Sequence, residues 1–83
     1  MKHYTSSDFR ESYQHLPIEI QKLADKNYEL LKDDPKHPSL NLKRIEELWS
    51  VRIGLHYRAI GVDAEGGIQW IWIGHHKVYD KMI

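Results

Sequence analysis

Residues 49–62 read Trp49-Ser50-Val51-Arg52-Ile53-Gly54-Leu55-His56-Tyr57-Arg58-Ala59-Ile60-Gly61-Val62. Trp49, Val51 and Ile53 alternate with Ser50 and Arg52, which is the period of a strand with one face buried and the other open. Gly54 stops that run, and His56 to Val62 supplies the next strand. Before residue 33 the apolar residues recur at a helical period instead. A chain whose first part is helical and whose second part alternates is α+β, with the helices set against one face of an antiparallel sheet. The other face carries Arg52 and Arg58, and two helices cannot easily cover both faces.

Working toward the C-terminus, Asp63-Ala64-Glu65-Gly66-Gly67 reads as a hairpin turn, with glycines for the positive φ such turns require. Ile68 to Ile73 is almost wholly apolar, which predicts a central strand covered on both faces. Trp70 and Trp72 are two apart and are expected on one face of it. Gly74 breaks the run, and Val78 to Met82 forms a short tail with at most a helical turn.

Working toward the N-terminus, Leu40, Leu42 and Ile45 suggest a short strand or an extended entry to the sheet. Pro35-Lys36-His37-Pro38-Ser39 is a loop. Asp33-Asp34-Pro35 ends a helix, because proline disfavours helical geometry in the residue before it. That helix carries Ile20, Leu23, Ala24, Asn27 and Leu31, and Pro17 suits its first turn. An earlier helix carries Phe9, Tyr13 and Leu16 on one face. Thr5 and Asp8 have the spacing of a capping box at its start. His3 and Tyr4 read as a short first strand. No repeat, linker or low-complexity tract divides residues 1–83, so one domain is expected.

The bulk composition narrows the function classes. A chain of 83 residues has a modest core, since only about 60–65% of its unfolded surface is buried on folding. It has no cysteine, which removes disulfides and thiolate metal sites. The start, MKHYTSSDFR, has no apolar signal-peptide core, and no apolar run approaches the roughly 20 residues of a membrane span. A cytoplasmic location and no membrane partner are therefore expected. The 12 basic and 12 acidic side chains balance, so net charge does not announce a nucleic-acid partner and any basic patch must be local.

The C-terminal segment Trp72-Ile73-Gly74-His75-His76-Lys77-Val78-Tyr79-Asp80 gathers titratable groups where the last strand stops. His75 or His76 with Asp80 offers two or three metal ligands. Catalytic zinc needs three protein ligands and structural zinc four, so His56 or His37 would have to converge from elsewhere. No metal site and no cofactor is assigned from the sequence.

Several of these features occur together in a known family. Phe9 and Tyr13, Leu16-Pro17, the long helix and the Asp34-Pro35-x-x-Pro38-Ser39-Leu40 loop come first. Ser50-x-Arg52-x-Gly54, Tyr57-Arg58-Ala59 and Ile73-Gly74-x-His76-x-x-Tyr79-Asp80 follow. Their order and spacing resemble the RelE/ParE superfamily of type II toxin–antitoxin toxins over essentially the whole chain. The resemblance implies a small twisted antiparallel sheet with two N-terminal helices on one face. It also implies a cognate antitoxin that wraps and blocks the toxin. Members include ribosome-dependent endoribonucleases that cut mRNA, which is the first expectation for this chain. Others inhibit DNA gyrase and are not nucleases, so the alternative is a non-nuclease module that acts on gyrase or binds only its antitoxin.

For a nuclease the resemblance implies roles residue by residue. Arg58 matches the arginine that contacts the scissile phosphate, and Arg52 occupies a basic catalytic strand position. His76 and Tyr79 fall where relatives place a basic or histidine residue and a tyrosine. Lys43, Arg44, His75 and Lys77 are the accompanying candidates for RNA contact. Position 50 departs from the pattern, since serine stands where well-known ribosome-dependent members have a lysine. Cleavage without a metal needs a base for the 2′-OH, cations for the phosphate and an acid for the leaving 5′-oxygen. Arginine and histidine are suited to those tasks by fixed donor geometry and by a near-neutral pKa respectively. Each residue also has a plainer reading: Arg58 as an ion-pair partner of Glu46 or Glu47, and Tyr79 as a packed ring.

Overall fold

A computed structural model describes residues 1–83. The elements in chain order are β1 (Lys2–Thr5), α1 (Ser7–Gln14), α2 (Ile18–Asp33), a 3-10 turn (Pro38–Leu40), β2 (Lys43–Ile45), β3 (Leu48–Ile53), β4 (Tyr57–Ala64), β5 (Gly67–His75) and α3 (His76–Met82). The five strands form one sheet in the order β1-β5-β4-β3-β2. β2 to β5 are antiparallel neighbours, whereas β1 lies parallel to β5. The sheet is therefore mixed, with the expected antiparallel ladder forming four of its strands. A parallel pair needs a long crossover, and the whole chain between β1 and β5 provides it.

Local signals explain most boundaries. The cap of α1 is Ser6 rather than Thr5: its hydroxyl accepts the amide hydrogen of Phe9 at 3.1 Å. Thr5 is instead the last residue of β1. The turn between β4 and β5 is tighter than the expected five residues, because Ala64 already pairs with Gly67. Gly67 has a further reason to be glycine. A Cβ there would lie 1.8 Å from the Lys2 carbonyl oxygen, so only a bare α-carbon lets β1 dock against β5.

The helices α1 and α2 bury their apolar faces on one side of the sheet. Leu16, Ala24, Leu31 and Leu40 meet Val51, Ile53, Ala59, Ile68, Trp70 and Ile73 in a single cluster. The alternation at 49–53 is realised as read: Val51 and Ile53 are buried in that cluster. The two tryptophans do not share a face. Ile60 pairs with Trp72 but Gly61 pairs with Trp70, so Ile71 is absorbed by a bulge. One extra residue reverses the alternation. Trp70 is 2% exposed in the helix-side core, and Trp72 lies with Ile60 on the opposite side.

Candidate functional site

The face opposite the helices is set by pairing register. Ser50 stands across from Ile60 and from Lys43, and Arg52 stands across from Arg58, which in turn stands across from Gly74. Directly opposed residues project from the same face. Lys43, Ser50, Arg52, Arg58 and Ile60 therefore share the surface that α1 and α2 leave open.

Arg52 and Arg58 are cross-strand partners, and neither takes part in an ion pair. The pairs in the fold are Lys32–Glu29 and Arg44–Asp63, and His76 forms one with Asp80 only when it is protonated. The plainer reading of Arg58, a partner for Glu46 or Glu47, is thus not realised. Arg58 Nη1 donates to the carbonyl of its neighbour Tyr57 at 2.9 Å. Arg52 Nε is buried with no hydrogen-bond partner. Like charges placed directly opposite are destabilising, and a buried donor without an acceptor costs free energy too. An anion held by the outer nitrogens of both guanidinium groups would offset the like-charge repulsion.

Beside Arg58, Gly74 makes room for an aromatic ring. A Cβ on Gly74 would fall 2.4 Å from Cζ2 of Trp72. The indole consequently lies across the glycine, next to the arginine pair, on the face to which the bulge has turned it.

Tyr79 reaches the same face from α3. Its hydroxyl is 2.8 Å from Ser50 Oγ, and the two residues are 8% and 2% exposed respectively. The tyrosine ring pins α3 over β3, and Ser50 is the polar contact that satisfies the phenol. Its hydroxyl is engaged in that contact rather than free at the surface.

Three imidazoles meet at the end of the sheet. His56 sits in the β3–β4 turn, His75 ends β5, and His76 opens α3. The ring of His75 is 4.7 Å from that of His76 and 6.0 Å from that of His56. The His76 amide donates to the His56 carbonyl at 2.7 Å, which ties the turn to the helix start. His75 Nδ1 accepts the Lys77 amide at 3.1 Å and so caps α3. Desolvation, followed by the nearby charges of His76, Lys77 and His56, holds the His75 pKa below the usual histidine value. His76 Nδ1 is 3.5 Å from Asp80 Oδ2. His37 is not part of this group; it hydrogen-bonds Ser39 at the 3-10 turn.

Of the remaining candidates, Lys43 and Lys77 are exposed. Arg44 is committed to Asp63 through both of its terminal nitrogens, and its guanidinium lies 5.3 Å from the Trp49 ring. Trp49 Nε1 also donates to Asp63. That bond, with the Arg44 contact second, holds the Asp63 carboxyl below the usual carboxylate range. Arg44 stands across from Trp49, away from the open face.

A family described as "ParE-like toxin domain" matches residues 19–81. The chain belongs to the ParE-like toxin domain family. The toxin fold is also seen in solved structures. The RelB–RelE antitoxin–toxin complex from Methanococcus jannaschii is similar with a TM-score of 0.73 at 20% identity, over 96% of this chain and 99% of that one. A YoeB/ParE toxin from Agrobacterium tumefaciens gives 0.68 at 16% identity, over 92% and 99%. The isolated E. coli RelE toxin gives 0.64 at 9% identity, over 98% and 97%. Identities this low establish a shared fold. No curated protein sequence matches the chain.

For a ParE-like toxin domain the candidate site was thus partly legible. Arg52, Arg58 and Tyr79 lie on one face, and His75 and His76 lie together at its end. Ser50 reads in the sequence only as a departure from the family pattern, and the sequence does not say whether Trp70 or Trp72 could stack a base. The departure from lysine at position 50 is visible, but nothing there shows that the serine hydroxyl meets Tyr79. Trp72 was hidden by a bulge that no residue pattern announces. Of the two histidines that would have to converge from elsewhere, His56 does and His37 does not.

Proposed function

We propose that this toxin domain is an mRNA endoribonuclease acting on the ribosome. The observation that carries the reading is the Arg52–Arg58 pair, opposed across β3 and β4 without a carboxylate. A phosphodiester is the anion that suits two guanidinium forks on an open sheet face. In this reading the ribose 2′-oxygen attacks the adjacent phosphorus and the bond to the 5′-oxygen breaks. The products are a 2′,3′-cyclic phosphate and a 5′-hydroxyl. Arg52 and Arg58 hold the non-bridging oxygens as charge builds on them. His76, beside Asp80, is assigned to take the 2′-OH proton, and water supplies a proton to the departing 5′-oxygen. Trp72 offers an aromatic surface on which a base can stack. Lys43, His75 and Lys77 border the path of the strand. Tyr79 serves as the anchor that keeps α3 over the sheet.

A cognate antitoxin is the expected partner. The similarity to a toxin solved with its antitoxin supports that assignment. The reading also places the toxin where ribosomes are, in the cytoplasm.

The test is cleavage of a reporter mRNA in a translating extract, with 3′-end analysis for cyclic phosphate. Arg58→Ala is expected to slow cleavage by about 10²–10³, the usual worth of a donor to a developing oxyanion. Arg58→Lys should restore only part, because an ammonium lacks the fork. His76→Ala should slow it by about 10²–10⁴. Wild-type rates in both alanine variants would place the chemistry elsewhere. The ParE-like description of the family favours one second reading, a non-nuclease toxin directed at DNA gyrase. An intact reporter together with gyrase-dependent DNA damage is the outcome that selects it.

A further inference from the structure

We propose that His56, His75 and His76 form a binding site for one divalent transition-metal ion of the zinc and nickel class, with Asp80 as the outer partner of His76. The proposal stands on side-chain geometry and does not depend on the nuclease reading. One ligand atom from each of the three imidazoles lies within 4.8 Å of the others. Around a tetrahedral ion with metal–nitrogen bonds of about 2.0–2.1 Å, such atoms sit about 3.3 Å apart. The site is therefore open by at most about 1.5 Å, within the reach of a side-chain rotation. His56 is the group positioned to make it. It is exposed on the three-residue turn between β3 and β4, and its ring centre lies 6.0 Å from that of His75 and 5.9 Å from that of His76.

The backbone around the site is already fixed. The His76 amide bond to the His56 carbonyl holds the two ligand-bearing segments at one separation. His76 shows the outer arrangement usual for metal-bound imidazole. Its Nδ1 faces the Asp80 carboxylate, which leaves Nε2 for the ion and raises its basicity. Nitrogen donors without thiolates or a carboxylate cage select zinc, nickel or copper over magnesium and calcium. With three protein ligands, a fourth position stays open to water.

His75 adds a consequence for the fold. Its Nδ1 now accepts the Lys77 amide as the cap of α3. Ligation through Nε2 places the proton on Nδ1, and ligation through Nδ1 occupies the acceptor directly. Either way the ion takes the cap from α3. Occupation is therefore coupled to the first turn of the helix that carries Tyr79.

Titration of the full chain, free of any histidine tag, with ZnCl2 by calorimetry tests this. The expected result is one ion per chain, with no heat from MgCl2. Zinc should also shift the ring resonances of His56, His75 and His76 in the NMR spectrum, and the amide of Lys77 should move with them. His56→Gln lies in an exposed turn and should keep the fold, verified by an unchanged circular dichroism spectrum, while zinc affinity falls at least tenfold. Asp80→Asn should weaken binding by about 10–100-fold. His37→Gln should leave it unchanged. No saturable binding at millimolar zinc overturns the proposal, and so does undiminished binding in His56→Gln.

Discussion

Arg52 and Arg58 stand directly opposite each other on β3 and β4, and Nε of Arg52 is buried without an acceptor. A fold that kept this pair for stability alone would have gained by replacing one of them. Arg52→Met is accordingly expected to stabilise the free protein by about 0.5–1 kcal/mol, from relief of like-charge repulsion and of an unsatisfied donor. For a domain of this size that is a rise of a few degrees in melting temperature. Tripolyphosphate should raise the melting temperature of the wild type and not that of Arg52→Met. A lower melting temperature for the variant without anion would mean that the guanidinium supports the fold.

Ser50 and Tyr79 make the opposite kind of contact. Both are buried and each hydroxyl has the other as its partner. Tyr79→Phe leaves the serine hydroxyl without a mate and should cost about 1–3 kcal/mol, as should Ser50→Ala. The double variant should cost less than the sum, since it removes both groups. Urea unfolding of the four proteins gives the coupling. Well below its melting temperature, Tyr79→Phe should keep most of the wild-type activity. A loss of activity with no loss of stability would return the phenol to the chemistry.

The helix-then-strand order was legible because the apolar period changes from helical to two between Leu31 and Trp49. Arg52 and Arg58 were legible as a pair for the same reason, since both alternate with core residues. Three features were not. The parallel placement of β1 is decided by Gly67, whose missing side chain admits the Lys2 backbone, and nothing local to residues 2–5 reveals it. The separation of Trp70 from Trp72 comes from one unpaired residue, Ile71. The meeting of His56 with His75 and His76 is a product of strand register, which brings residues about 20 positions apart to one end of the sheet.

Gly67 gives the β1 placement a direct test. With a Cβ only 1.8 Å from the Lys2 carbonyl oxygen, Gly67→Ala cannot keep β1 in place. The expected loss is about 2–3 kcal/mol, toward the upper part of the ordinary range for point changes. Hydrogen exchange should localise it. The Ser6 amide, which bonds the Trp70 carbonyl at 3.0 Å, should lose its protection while amides shared by β3 and β4 keep theirs. Uniform loss of protection would mean that β1 is an integral part of the cooperative unit.

His3 sits on that same strand and makes the stability of the fold depend on pH. Its Nδ1 accepts the Trp70 indole N–H at 3.1 Å, and its ring stacks on Trp70. Protonation turns the acceptor into a donor facing another donor. Burial, then the N-terminal ammonium and Lys32, hold its pKa below 6.5. Its folded pKa is therefore lower than its unfolded one, and between the two the unfolded chain binds more protons. The stability linked to His3 is complete above about pH 6.5 and declines as pH falls toward the folded pKa, below which the decline stops. Urea midpoints for the wild type should drop between pH 7.5 and 5. His3→Gln keeps an oxygen acceptor within reach of the indole and cannot titrate, so its midpoints should drop less over the same interval. Equal slopes for the two proteins would assign the pH dependence to other groups.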